Sequence, residues 1–243
     1  MKVFLAALQF LTIFPWARET PRSANDLGAA AIFFPVVGFL LGGILLLADI
    51  ALKPFSAPVL SSVLLVAVLA WLTRALHLDG LADTFDGLGV GGDRERMLRV
   101  MDDSRTGAFG VVAVVLLLFL KIHALEAIEA ERWRALLAAP ALGRWAMALH
   151  GYRSVAAKTG LGSTLIEHLK TKHVIFATVI TLVLTVVVLR GAGIVMMLVV
   201  AAFSTASKKY FHRRLGGVTG DTFGAVGEIS ETLVLVCIAM GVR

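Results

Sequence analysis

Residues 174–189 read VIFATVITLVLTVVVL, a stretch without a charged side chain that consists almost entirely of Val, Leu, Ile and Thr. A helix that crosses the hydrocarbon core of a bilayer takes about 17–25 mainly apolar residues. The stretch therefore predicts a transmembrane helix over residues 174–190.

The composition of the whole chain agrees with this interpretation. Of the 243 residues, 58% are hydrophobic and 16% are charged, whereas about a quarter are charged in soluble domains. The mean hydropathy is +0.86, which excludes soluble, disordered and fibrous proteins. The single cysteine, Cys237, excludes a disulfide framework and a cysteine metal cluster. We predict one all-α, polytopic membrane domain over residues 1–243.

Seven apolar stretches predict about seven spans, with six to eight as the range. They cover residues 32–52, 57–76, 107–127, 133–150, 174–190, 193–207 and 222–242. The fourth contains Pro140 and Arg144 and the sixth is short, so broken or tilted helices are expected there. Residues 1–16 lack a signal-peptide cleavage site and predict an interfacial helix, with Trp16 at the level of the lipid headgroups.

The basic residues predict the orientation of the chain. With the N-terminus inside, fifteen Lys and Arg residues fall in inside segments and five in outside segments. Cytoplasmic loops carry such an excess, so the three long loops at residues 77–106, 151–173 and 208–221 are expected in the cytoplasm. The pI of about 9.8 is thereby explained without a nucleic-acid partner. The chain is expected in the cell membrane, the inner membrane in a cell with two.

Acidic residues concentrate after the second span, in HLDGLADTFDG at residues 77–87. If the helix continues, Asp79, Asp83 and Asp86 share one face. Three adjacent carboxylates repel one another, and a hard divalent cation such as Mg²⁺ or Mn²⁺ would offset that repulsion. The alternative is a solvated acidic helix end. The glycine-rich stretch at residues 87–93 predicts a turn that either approaches a phosphate or acts as a hinge.

Two further segments carry polar groups at the ends of predicted spans. In DDSRTGAFG at residues 102–110, Ser104 or Thr106 is expected to cap the next helix, beside Arg105. Either an anion site or ordinary capping with a positive-inside arginine fits this segment. Asp221 opens the last span, and Glu228 and Glu231 lie on the same helical face within it. Carboxylates at such depth usually mark a functional interior, although snorkelling at a helix end is the alternative.

These residues together favour metal-assisted phosphoryl chemistry. Carboxylates would hold the metal and arginines would bind the remaining phosphate oxygens. An arginine inside a span, Arg144, is expected to pair with a carboxylate or a phosphate. The histidines are scattered without metal-ligand spacing.

Six motifs resemble the cobalamin synthase family, the membrane adenosylcobinamide-GDP ribazoletransferases. They are FLTIFP at 10–15, FFPVVG at 33–38, HLDGLADTFDG at 77–87, DSRTG at 103–107, GRW at 143–145 and TGDTFGA at 219–225. The resemblance implies an Mg²⁺-dependent enzyme that joins adenosylcobinamide-GDP to α-ribazole or its 5′-phosphate and releases GMP. It leaves a homo-oligomer open.

The resemblance also implies roles for individual residues. The expected metal ligands are Asp79, Asp83 and Asp86, with Asp221 or Glu228. The expected substrate and phosphate contacts are Arg105, Arg144, Ser104, Thr219, Gly220 and Thr222. Asp103 or Glu231 is expected to act as the general base, with Arg105 beside the reacting phosphate.

Two other classes of protein remain as alternatives. A CDP-alcohol phosphotransferase also uses clustered aspartates, but its motif needs Ala and Arg where this chain has Asp83 and Thr84. A transporter could use the intramembrane carboxylates, but it would often show repeated halves, and this sequence has no convincing repeat.

Overall fold

The computed structural model describes residues 2–14, 24–55, 57–128 and 130–242 of the chain. These residues form twelve α-helices and no β-strand. The helices are α1 (Lys2–Leu11), α2 (Ala24–Ala30), α3 (Phe34–Leu52), α4 (Pro58–Leu72), α5 (Leu76–Val90), α6 (Arg94–Met101), α7 (Ala108–Ala127), α8 (Arg132–Gly151), α9 (Leu161–His168), α10 (Thr171–Leu189), α11 (Gly191–Leu215) and α12 (Gly220–Ala239).

Within the described residues, five helical segments are long and apolar enough to cross a membrane: Ala24–Leu52, α7, α10, α11 and α12. A sixth is added if the bent pair α4 and α5 is counted as one span. The all-α polytopic bundle is confirmed; the count is five or six, below the predicted seven and within the predicted range of six to eight only if the bent pair is counted. The predicted fourth span does form a helix of 20 residues, α8, which carries Arg132, Arg134 and Arg144.

Helix α8 lies at the centre of the bundle, with α3 and α12 against it. A Cβ atom on Gly38 would lie 2.3 Å from the carbonyl oxygen of Pro140, and one on Gly143 would lie 2.8 Å from that of Gly227. Glycines thus let α3, α8 and α12 approach at backbone contact. This polar helix tolerates its central position because neighbouring helices, rather than lipid, surround it.

Neither the fourth nor the sixth predicted span is broken, so that part of the prediction is wrong; a tilt of these helices stays a prediction. Helix α8 continues through Pro140 over its full length, and α11 runs for 25 residues until Gly216, at a φ of +72°, ends it. Lys208 in α11 donates hydrogen bonds to the carbonyl oxygens of Leu149 and Tyr152 at 3.2 and 2.7 Å. The basic residues at the start of the predicted loop 208–221 therefore belong to α11. The loop itself consists of residues 216–219.

Helix α4 ends at a sharp turn, so the predicted second span does not continue straight into the acidic stretch. The N–H groups of Ala75 and Arg74 donate to the carbonyl oxygens of Ala70 and Trp71 at 2.7 and 3.0 Å, the pattern of a Schellman motif. Arg74 and Ala75 both have positive φ values, and the axes of α4 and α5 differ by 89°. Helix α5 therefore lies across the end of the bundle rather than along the direction of α4.

The short helices gather at this same end. The N–H group of Ile13 donates to the carbonyl oxygen of Leu72, which places α1 beside the end of α4. A Cβ atom on Gly28 would overlap the backbone of His168, so α2 lies on α9. Helix α1 confirms a helix within residues 1–16, but its interfacial position stays a prediction, and Trp16 lies outside the described residues.

The glycine-rich stretch that predicted a turn is largely helical. Residues 87–90 belong to α5, and glycine there serves close packing between helices. A Cβ atom on Gly87 would lie 2.4 Å from the side chain of Met101, and one on Gly89 would lie 2.3 Å from the ring of Phe109. Only Gly91 and Gly92, with positive φ values, form the turn into α6.

Candidate functional site

Three aspartates from two helices meet at the end of the bundle where α5 crosses α12. Asp79 and Asp83 lie one turn apart on α5, and Asp221 lies in the first turn of α12. A Cβ atom on Gly80 would lie 2.8 Å from the carbonyl oxygen of Asp221, so the two backbones touch there. Burial, and then the charges of Asp79 and Asp221, raise the pKa of Asp83 to about 7. We call Asp79, Asp83 and Asp221 the acidic face.

The third aspartate of the predicted stripe, Asp86, has a different partner. Its two carboxylate oxygens accept hydrogen bonds from the N–H groups of Gly107 and Gly110 at 2.6 and 2.8 Å. The carboxylate thus caps the N-terminus of α7 from another helix, in place of the predicted cap from Ser104 or Thr106. That prediction is wrong, since Gly107 occupies the N-cap position without a side-chain cap.

Lys158 connects the acidic face to the segment before α7. Its Nζ lies 2.6 Å from Oδ1 of Asp102 and 2.9 Å from Oδ2 of Asp221. Next along the chain, Asp103 and Arg105 form an exposed ion pair at 2.8 Å. Hydrogen bonds from Arg105 lower the pKa of Asp103 to about 2. A carboxylate with a lowered pKa is a weaker proton acceptor; the role of Asp103 as general base stays a prediction.

The predicted intramembrane residues form a buried ion cluster of their own. Nζ of Lys121 in α7 lies 2.5 Å from Oε2 of Glu228 and 2.7 Å from Oε1 of Glu231, and Arg144 in α8 also pairs with Glu231. The expectation that Arg144 pairs with a carboxylate or phosphate is confirmed. Two cations and two anions make the cluster neutral, which favours its burial among spans. The structure does not bring these residues to the acidic face.

The predicted contacts at the start of α12 are engaged in local bonds. The side-chain oxygen of Thr219 accepts from the N–H of Thr222, and that of Thr222 accepts from the N–H of Thr219, a reciprocal capping arrangement. The hydroxyl of Thr222 also lies 3.1 Å from Nε2 of His150. Among the predicted residues here, Gly220 presents its backbone to a cavity.

An open cavity of about 270 Å³ lies beside the acidic face. Its wall includes Asp79, Asp221 and three features that the sequence analysis missed: His77, Lys158 and the glycine-containing start of α9. No spacing rule indicates these residues, because α9 begins 84 positions after His77 and meets it only in the folded bundle. Lys158 belongs to no motif, and His77 opens the HLDGLADTFDG stretch without metal-ligand spacing to another histidine.

The residues present fit a magnesium ion by their chemistry, although they form no ready-made cage. No group of three or more His, Cys, Asp or Glu side chains in the described ranges could hold a metal. Mg²⁺ usually takes only one or two carboxylates and completes its shell with waters and substrate phosphates. The crowding of negative charge around Asp83 is what a cation would relieve.

The fold and this site define a polytopic membrane protein with an acidic, cavity-bearing face at one end of the bundle. The family model of cobalamin-5-phosphate synthase matches residues 3–239. The chain belongs to that family, as the resemblance implied.

Full-length relatives agree. The chain is 42% identical to the adenosylcobinamide-GDP ribazoletransferase of Geotalea daltonii over 100% of its own length and 99% of the relative's. It is 41% identical to the enzyme of the same name from Syntrophobacter fumaroxidans, over 96% of each chain. It is also 41% identical to that of Pseudomonas putida, over 99% and 100% of the two chains. No solved structure matches the chain.

Proposed function

We propose that the chain joins adenosylcobinamide-GDP to α-ribazole or α-ribazole 5′-phosphate, releases GMP, and so completes the nucleotide loop of adenosylcobalamin or its 5′-phosphate. The single observation that carries this proposal is the convergence of Asp79, Asp83 and Asp221 from two helices beside one cavity. Membership of the family supplies the substrates, since its curated relatives are named adenosylcobinamide-GDP ribazoletransferases.

The reaction is a transfer of a substituted phosphate. A ribose hydroxyl of the acceptor forms a bond to the phosphorus that carries the cobinamide, and the bond from that phosphorus to the bridging oxygen of the diphosphate breaks. The hydroxyl proton passes to a base, and the bridging oxygen leaves with GMP. Catalysis of such a step depends mainly on positioning and on neutralising phosphate charge.

We assign the binding of Mg²⁺ to Asp79, Asp83 and Asp221. Mg²⁺ bound there would neutralise phosphate charge. Asp86 and Glu228, the other predicted ligands, already have partners in the helix cap and in the ion cluster. The proposal therefore places the cation on the acidic face alone.

The acidic face is proposed to lie on the cytoplasmic side of the cell membrane. The N-terminal helix α1, the loop of residues 152–160 and the basic end of α11 all lie at that end of the bundle. Arg132, Asp49 and Ser61 meet at the other end, where Arg132 lies 3.0 Å from each partner. The positive-inside rule then puts the acidic face in the cytoplasm, where nucleotide substrates are present.

Release of GMP from adenosylcobinamide-GDP by the purified protein in liposomes tests the reaction. We expect release that needs α-ribazole or its 5′-phosphate, needs Mg²⁺ and stops in EDTA. Asp79→Asn and Asp83→Asn are expected to lower the rate at least a hundredfold, because each removes a carboxylate from the acidic face. Glu95→Gln, on an exposed acid of the neighbouring helix α6, is the control and should leave the rate unchanged. Wild-type release that persists in EDTA would overturn the assignment of the metal.

A further inference from the structure

Two helix N-termini point into the cavity beside the acidic face. The first turn of α9 contributes Leu161, Gly162 and Ser163, and the first turn of α12 contributes Gly220 and Asp221. The first N–H groups of a helix have no intrahelical acceptor and carry a partial positive charge. Such groups bind phosphates and other anions.

Glycine lets the two helix ends meet without an intervening side chain. A Cβ atom on Gly162 would lie 2.8 Å from the backbone nitrogen of Gly220. Gly160, just before α9, has a φ of +150° and nothing within 4 Å of its own Cβ position. The first turns of both helices therefore line the same space, together with Lys158, whose ammonium group is paired with Asp102 and Asp221.

An independent observation at the same cavity comes from His77. His77 is 3% exposed, it belongs to the cavity wall, and neither of its ring nitrogens has a hydrogen-bond partner among the described residues. A buried polar group without a partner costs free energy, and its presence in a native structure calls for an explanation. An imidazole ring has two nitrogens that can take part in hydrogen bonds.

We infer that this cavity binds the diphosphate of a nucleotide-activated substrate, on the first-turn amides of α9 and α12 and on Lys158, with His77 as a hydrogen-bond partner of the bound group. The inference rests on the proposed function and adds to it a location and three contacts that the sequence analysis did not assign: His77, Lys158 and the first turn of α9. Asp79 and Asp221 line the same cavity, and these carboxylates would repel a free diphosphate. Binding is therefore expected to need Mg²⁺.

Equilibrium binding of GDP to the full-length protein in detergent tests the inference, with and without Mg²⁺. His77→Leu removes both ring nitrogens from a buried site. If His77 binds a phosphate oxygen, this substitution should weaken GDP binding and raise KM for adenosylcobinamide-GDP roughly ten- to a hundredfold. His77→Gln keeps a donor and an acceptor and should recover part of the affinity.

Thermal stability separates this role from a structural one. Because the His77 ring has no hydrogen-bond partner among the described residues, His77→Leu should leave the melting temperature of the ligand-free protein unchanged or raise it. The control is His150→Leu, since His150 is also fully buried but is bonded to Thr222, and it should lower that temperature.

Two results would overturn the inference: GDP affinity that His77→Leu leaves unchanged, or a loss of affinity that is accompanied by a lower melting temperature of the ligand-free variant, since a structural role of the ring would then explain it. Failure of the proposed function is a different result. A wild-type protein that binds GDP through His77 but releases no GMP with either acceptor would support the diphosphate site and overturn the proposed reaction.

Discussion

Loss of the Lys121 ammonium group is expected to destabilise the bundle strongly, because two buried carboxylates depend on it. The side chains of Lys121, Glu228 and Glu231 are at most 5% exposed. Lys121→Met keeps the apolar stem and leaves the cluster with one net negative charge. Glu231 keeps Arg144, whereas Glu228 loses the one ion pair that it has within the described residues. Breaking a buried pair in this way costs about 3–5 kcal/mol of unfolding free energy.

A second substitution tests whether charge balance is the cause. In Lys121→Met/Glu228→Gln the remaining pair, Arg144 and Glu231, is again neutral, so the double variant should recover all but about 1–2 kcal/mol. Unfolding by SDS in detergent micelles, followed by tryptophan fluorescence, measures both changes. Lys209→Met, at an exposed lysine of α11, is the matched control and should change the free energy by less than about 0.5 kcal/mol.

Two outcomes would refute this reasoning: a loss of less than about 1 kcal/mol in Lys121→Met, or a double variant no more stable than the single one. The activity of the double variant carries separate information. If it folds and releases GMP, Glu228 serves charge balance. If it folds and releases none, the Glu228 carboxylate takes part in the site, as the sequence analysis predicted.

Three further predictions follow from the geometry. Asp83→Asn should raise the melting temperature in EDTA by relieving repulsion but abolish stabilisation by Mg²⁺, and thermal melts with and without Mg²⁺ would show both. In the wild type, Mg²⁺ affinity should fall below about pH 7, because the raised pKa of Asp83 means that a proton then occupies the ligand; isothermal titration calorimetry at several pH values would detect this fall. Asp86→Ala should lower the free energy of unfolding by about 1–2 kcal/mol through loss of the α7 cap, as chemical denaturation would show. Gly38→Ala should cost about 1–3 kcal/mol because its Cβ would overlap Pro140, whereas Gly43→Ala, with nothing within 4 Å, should stabilise α3 by up to about 1 kcal/mol in the same measurement.

The hydropathy pattern predicted the helices that are apolar on all faces. It failed where tertiary packing, rather than local sequence, sets the position of a turn or a short helix. Helix α10 is apolar on every face and was predicted within three residues at its start. The right-angle turn after α4 depends on positive φ values at Arg74 and Ala75, which neither residue type signals. Helices α6 and α9, of eight residues each, are too short to give a periodic pattern.

The sequence predicted the part of the candidate site whose residues are close together in the chain. It could not predict contacts between residues that are far apart in the chain. Helical spacing was enough to place Asp79 and Asp83 on one face. The cap that Asp86 provides joins positions 21 and 24 residues apart, and no local pattern distinguishes it from a metal ligand. The sequence analysis gave His77 no role, because only the fold shows that its ring is buried without a hydrogen-bond partner among the described residues.

The buried ion cluster also determines when, during synthesis, the membrane bundle can be completed. Glu228 and Glu231 follow Lys121 by 107 and 110 residues, and α12 is the last of the described helices. At about 5–20 residues per second, synthesis of that interval takes roughly 5–20 seconds. During this time α7 is at or in the bilayer, and Lys121 has no carboxylate partner because Glu228 and Glu231 are not yet synthesised. Insertion of α12 is therefore the step that neutralises Lys121 and stabilises the bundle. Chains that leave the ribosome without α12 should be substrates for membrane quality-control proteases.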